Sequence, residues 1–278
     1  MSQEDVVGPW SEDKLMLLRK YLGAYTLIMQ GQKWCQNGYH YIDAFAGTSR
    51  PRARDEQRYI DGSPRVALTI RYPFKSYTFI ERKPWRVQQL EDLRVEFPDR
   101  DIRIREGDCN TIITTEVTPS IRYDRYNRGL IFLDPFGMEV EWSSIQEIAD
   151  TRALEVFVNF PVMALNRSVL SNDPNALTEV QIERMNRFWG SPDWRGDIYE
   201  EVPTLFGPVE VKIRRTTGER LGQLFRHRLA EVFPCVTDPL LMTNSRNAPL
   251  YCLILAGHNA TGAKIVDDIF TGYKRLGH

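Results

Sequence analysis

The sequence predicts an α/β fold built on a doubly wound, mostly parallel sheet, and three observations carry that prediction. From 39 to 161, short apolar runs alternate with helical stretches, which implies right-handed βαβ crossovers. Two of the runs, LIFLDPFG (130–137) and LEVFVNFP (154–161), are continuously apolar, as central parallel strands buried on both faces must be. The strands end, one after another, in acidic or polar residues: Asp43, Glu81, Asp108, Asp134 and Asn159. In a parallel sheet these ends share one edge and converge on one crevice.

The 278 residues allow one large domain or one domain with an appendage, and 42% hydrophobic content is ample for a core. A net charge of −1 announces no polyanionic partner for the molecule as a whole, although local patches can still provide one. Cys35, Cys109, Cys235 and Cys252 are scattered singly, which predicts reduced thiols and a cytoplasmic protein rather than a zinc site or disulfide framework. His40, His227, His258 and His278 have no metal-ligand spacing. The opening MSQEDVVGPWSEDK has no apolar core, so no signal peptide is expected. No run approaches eighteen apolar residues, so no membrane span is expected either.

In chain order, 1–38 reads as an N-terminal helical segment. Ser11 is the expected N-cap of a helix to about Gln30, with Leu15, Leu18, Leu22, Tyr25 and Met29 on one stripe. The first part of the core, 39–161, opens with YHYIDAFAGT: a strand over about 39–45, acidic Asp43, and a turn at Ala46-Gly47. The charged run 49–61, with Arg50, Arg52, Arg54 and Arg58, reads as an excursion before the next helix, whose expected N-cap is Ser63 with Pro64 at N1. Strands follow at 76–81 and 101–108, and a helix at about 85–97. The run 162–210 is Pro- and Asp-punctuated, with one helix at about 178–189 and the aromatics Phe188, Trp189, Trp194 and Tyr199; it reads as a cap inserted on the site side. The rest, 211–278, supplies a helix over about 217–232, a hairpin of strands 240–243 and 250–256, and a final helix over about 262–273.

The candidate site follows from the strand ends. Gly47 lets backbone approach a ligand, and the helix start at Gly62-Ser63 points N–H groups back toward it. Glu81 is placed for ribose hydroxyls, and Asp108 with Cys109 and Asn110 for an adenine amino group; Phe45, Thr48 and Arg82 flank them. There is neither GxGxxG nor a Walker loop, so polyphosphate cradles are not supported. An acidic residue beside the turn suits a cationic adenosyl ligand, S-adenosylmethionine, better. Methyl transfer from a sulfonium needs in-line alignment, exclusion of water and a group to hold the nucleophile's proton, a role assigned to Asp134 with Pro135 and Phe136. Arg50, Arg52, Arg214 and Arg215, with Trp189 and Trp194, are the candidate surface for a nucleic-acid substrate. A plainer reading, solvated turn carboxylates and solvated arginines, stays open for each.

The phrases YIDAFAGT, GSP-x-x-AL, FIE, GD-x-N and FLDPFG, in this order, resemble the three-Cys-motif partner family, a branch of the class I S-adenosylmethionine-dependent methyltransferases. The resemblance spans roughly 10–260. It implies a Rossmann-like seven-stranded sheet with a C-terminal antiparallel hairpin, a bacterial or phage setting, and a genomically linked partner that carries the three-cysteine motif. Asp134-Pro135-Phe136-Gly137 resembles the DPPY-type motif of enzymes that methylate amino groups on bases, with Phe in place of the second Pro and Gly in place of the aromatic. The turn Gly47-Thr48-Ser49 likewise replaces Gly-x-Gly. Those departures leave a second expectation: a catalytically degenerate methyltransferase fold that serves as partner or regulator of the three-cysteine protein. A nicotinamide-dependent oxidoreductase is disfavoured by the missing glycine fingerprint.

Overall fold

The computed structural model describes residues 5–54, 58–170, 174–204, 207–212 and 217–276. A short strand β1 (Val6–Val7) precedes helix α1 (Pro9–Met29), strand β2 (Gly38–Asp43), the two-residue β3 (Arg52–Ala53) and α2 (Ser63–Leu68). Next come β4 (Ser76–Glu81), α3 (Pro84–Glu96), β5 (Ile102–Glu106) and α4 (Cys109–Ile112), which runs on through a π-helical turn into α5 (Thr118–Ser120). The central pair follows as β6 (Asn127–Leu133), α6 (Trp142–Asp150) and β7 (Leu154–Phe160). Then come α7 (Val162–Ser168), α8 (Glu179–Trp189), α9 (Trp194–Ile198), β8 (Tyr199–Thr204) and β9 (Gly207–Lys212). The last elements are α10 (Gly218–Ala230), β10 (Cys235–Val236), β11 (Leu240–Thr243), β12 (Pro249–Gly257) and α11 (Ala260–Arg275).

The main sheet runs β5-β4-β2-β6-β7-β12, with the first five strands parallel. Strand β12 lies antiparallel to β7, and both β11 and β10 pair antiparallel with β12. This is the doubly wound, mostly parallel Rossmann-like sheet that the alternation predicted, and among the described residues it has eight strands where the resemblance implied seven. Because side chains alternate along each strand, the central strands feed two cores. Ile42, Ile131, Leu133, Val156 and Val158 face α6, α8 and α10. Tyr41, Phe79, Leu130, Phe132 and Phe157 face α1, α2 and α11.

Three local expectations change. Helix α1 starts two residues before Ser11: Gly8 is the extended N-cap and Pro9, its φ already helical, takes N1. Gly62, not Ser63, is the N-cap of α2, because the Ser63 hydroxyl is drawn to Asp43. Among the described residues of 162–210 there are three α-helices, followed by the pairing of β8 with β9, instead of the one helix expected. Pro203 faces Pro208 in that pair of strands, which a free two-stranded ribbon tolerates because each strand has an unpaired edge. No described helix is long and apolar enough to cross a membrane. All four cysteines are free.

Candidate functional site

The carboxyl ends of β2, β6 and β7 open into a cavity of about 280 Å³. One wall is the first turn of the fold, Phe45 to Thr48, with Gly62 and Ser63. Gly47 takes φ +62°, the left-handed region that glycine enters without strain. Gly62 must be glycine for another reason: a Cβ there would lie 2.4 Å from the Thr48 carbonyl oxygen. Its N–H donates to the Ser49 carbonyl at 2.9 Å, so the excursion leaves and re-enters the site at a single crossing point. The second wall is Asp134-Pro135-Phe136 with Asn159, and the roof is the N-terminal segment Asp5–Val7 with Trp10 and Lys14 of α1.

The floor of the turn is charged and closed. Asp43 is 0% exposed. It accepts from the Phe45 N–H at 3.2 Å and the Tyr41 hydroxyl at 3.4 Å, and it is hydrogen-bonded to Ser63. Burial pushes its carboxyl up to about 7, against the hydrogen bond from Ser63. Asp43 therefore holds the turn and the start of α2, and does not line the cavity: the expectation of a direct ligand contact is corrected. Glu81 is also committed. It accepts from the Gly47 N–H at 3.0 Å, from the Arg82 and Lys83 N–H groups at 2.8 Å, and from the Arg86 guanidinium at 3.4 Å.

At the far end of the edge the residues expected to meet adenine are engaged elsewhere. Asp108 caps α4 by accepting from the N–H groups of Asn110 and Thr111. The Asn110 amide clamps the chain at Glu139 and Glu141 and takes the Ser144 hydroxyl. Cys109 is buried, its thiol pushed up to about 12 by burial. None of the three lines the cavity.

Asp134 does line it, between Lys14, which the sequence did not single out, and Asn159, the polar tip of β7. Lys14 donates to its Oδ2 at 2.5 Å, and Asn159 Nδ2 donates to its Oδ1 at 2.5 Å. Lys14 reaches there from the buried stripe of α1, one turn before Leu18, and its ammonium lies 5.4 Å from the centre of the Tyr251 ring. That position on the apolar stripe is the signal the sequence held. Phe136 is 75% exposed at the mouth. The Arg86 guanidinium lies between it and Trp85, 5.6 Å and 5.2 Å from the ring centres, and pairs with Asp5 at 2.6 Å. Arg54 sits 5.4 Å from the Trp10 ring.

The expected nucleic-acid surface loses its two aromatic residues. Trp189 and Trp194 are buried at 3% and 0% exposure, because the Phe188–Trp189 end of α8 turns inward and Trp194 donates to Asn186. They cannot stack on a base. Three neighbouring arginines of α10 are engaged within the chain as well: Arg220 donates to the Asp197 carbonyl, Arg226 pairs with Asp238, and Arg228 donates to the Trp189 carbonyl. Arg214 and Arg215 lie outside the described residues. Arg50 is exposed, 3.8 Å from Glu96, and Arg52 belongs to β3, which pairs with β1 beside the cavity. No group of described residues has the arrangement of a metal site.

No protein-family model matches the chain, and no curated protein matches it. Among solved structures it is similar to the protein LPL1258 from Legionella pneumophila, at 13% identity over 95% of this chain and 92% of that one, with a TM-score of 0.55. At that identity the likeness concerns the fold alone. More distant are the N-terminal domain of EvdMO1, solved with SAH bound (10% identity, 87% and 81% coverage, TM-score 0.44), and the bifunctional kinase-methyltransferase WbdD (10% identity, 88% and 39% coverage, TM-score 0.40).

Proposed function

We propose that this chain binds S-adenosylmethionine in the cavity and methylates a nucleic acid whose target base enters past Phe136. The observation that carries the reading is the meeting of the glycine turn and Asp134-Pro135-Phe136 on opposite walls of one cavity. The residues fit the group at its amino-acid end. Gly47, Gly62 and Ser63 form a close-approach wall, and the Thr48 Oγ1, buried there, has no hydrogen-bond partner among the described residues. Glu81 would serve the ribose by releasing the Gly47 N–H and Arg86. Bound, the cofactor would supply an electrophilic methyl group on a sulfonium; the acceptor nitrogen would gain that methyl as the sulfur–carbon bond breaks and would give up its N–H proton to solvent. The chain's own contribution is to exclude water beneath α1, hold the acceptor in line, and stack its ring on exposed Phe136.

Calorimetric titration with S-adenosylhomocysteine tests the cofactor. One-to-one binding with a rise in Tm is expected, and no heat with no shift sinks the reading. Filter binding of single-stranded DNA and RNA tests the polymer: affinity should fall with salt, and salt-insensitive or absent binding removes the substrate class.

Two observations favour the degenerate-partner reading. Glu81 is already spent on Gly47 and Arg86, and the cavity of about 280 Å³ lies just below the usual range of ligand pockets, ~300–1,000 Å³. Cofactor binding without turnover on any polymer, together with co-purification of a three-cysteine-motif protein, would select it.

A further inference from the structure

Each oxygen of Asp134, the residue expected to receive the acceptor's hydrogen bond, already accepts one from within the chain. Lys14 carries only donors, so Oδ2 accepts from it. On the other side, the bond to Oδ1 fixes the amide of Asn159. A carboxylate oxygen can only accept, so the NH2 of Asn159 must turn toward Asp134 and its carbonyl must turn away. Asn159 is 6% exposed and lines the cavity, and its Oδ1 has no hydrogen-bond partner among the described residues. A buried acceptor left in that state is costly, and native proteins rarely keep one without a use for it. Its strand neighbours cannot supply a donor. Asn159 sits near the end of β7 opposite Leu253 of β12, whose side chain is apolar.

The geometry points to Asn159 as the residue that meets the methyl acceptor, through Oδ1, with Asp134 and Lys14 as the positioning residues that aim it. This rests on the cofactor reading above and deepens it. The site accepts a hydrogen bond, so it selects an acceptor that carries an N–H: an exocyclic amino or amide nitrogen. An acceptor without a donor hydrogen would leave Oδ1 as unsatisfied as before, and would be disfavoured. Lys14 reaches this chain of contacts from α1, which makes the first helix part of the acceptor site as well as part of the core.

The test uses binding alone. Sinefungin is the analogue of S-adenosylmethionine in which a carbon bearing an amine replaces the sulfur bearing the methyl, so it places an N–H donor where the transferred group would lie. S-adenosylhomocysteine has nothing there. Calorimetry on the full chain should find sinefungin bound about tenfold more tightly than S-adenosylhomocysteine, the size of one charge-assisted hydrogen bond. In Asn159→Leu the ratio of the two affinities should fall from about tenfold to within about twofold, whatever the change in the affinity for S-adenosylhomocysteine itself. A thermal melt of each variant establishes that it is folded, and Asn159→Ala repeats the measurement should the leucine variant fail. Preference kept in a folded variant overturns the proposal, as does equal loss for both ligands, which would make Asn159 a cofactor residue. No preference in wild type overturns it too. If wild type binds neither ligand, the cofactor reading itself fails.

Discussion

Two regions of the chain place aromatic rings beside arginines, and they end in opposite environments. At 188–199 the rings go inward. Phe188 stacks on Phe225 and Phe160, Trp189 packs on Phe225, and Trp194 is fully enclosed. At the cavity mouth they stay out: Phe136 projects from the tip of β6, Arg86 lies between it and Trp85, and Arg54 covers half-buried Trp10. The same composition thus gives core in one place and an exposed patch of rings and guanidinium groups in the other. What separates them is the element that carries the ring. A helix such as α8 offers Met185, Phe188 and Trp189 along one face, and burying that face stabilises it. A strand tip followed by Pro135 has no opposite face to bury.

That contrast can be broken by substitution. The largest effect is expected for Trp194→Ala, which should cost about 3–5 kcal/mol of stability in chemical denaturation and leave the salt dependence of single-strand binding unchanged. Altered binding in a folded variant would return that region to the surface. Lys14→Met should follow. Removing one partner of the largely buried pair with Asp134 leaves a charge uncompensated, at about 3 kcal/mol. An unchanged Tm would mean that the pair is solvated. Phe136→Ala should do the reverse of Trp194→Ala, with stability within about 0.5 kcal/mol and single-strand affinity lower by about 1–3 kcal/mol. Equal loss in both assays would make Phe136 a packing residue.

The last of these signals is a slope with pH. The folded-state carboxyl of Asp43 is raised by burial to about 7 from 3.8. The folded chain therefore holds that proton more tightly than the unfolded chain. The benefit is complete below about pH 4 and is lost as pH rises to about 7, after which it is constant. Asp43→Asn should flatten stability across that window. An unaltered slope would show that Asp43 is solvated in the folded chain and is no floor to the turn.

The fold was legible because apolar runs at strand length recur between helical stripes, and each buried strand announces itself without help from neighbours. The site was legible only where a special backbone is needed, as at Gly47 and Gly62, or where polar residues end an apolar strand, as at Asp134. Lys14 and Arg86 were not, because a long cationic side chain on a helix normally reaches solvent along an apolar stem. The approach of α1 over β6 gives Lys14 its acidic partner, and Arg86 finds two, Glu81 at the end of β4 and Asp5 of the N-terminal segment. Asp108 and Asn110 erred in the other direction. Their pattern is that of a ligand edge, but the local backbone N–H groups of α4 and the chain at 139–141 claim their side chains first.

The central claim is that one cavity joins the glycine turn to the Asp134 wall around a cofactor. A crystal structure with S-adenosylhomocysteine tests it most directly. The account predicts the amino-acid end against Gly47, Thr48 and Gly62, with the sulfur facing Asp134, Pro135 and Asn159. Density for the ligand anywhere else, or an empty cavity at saturating concentration, would contradict it.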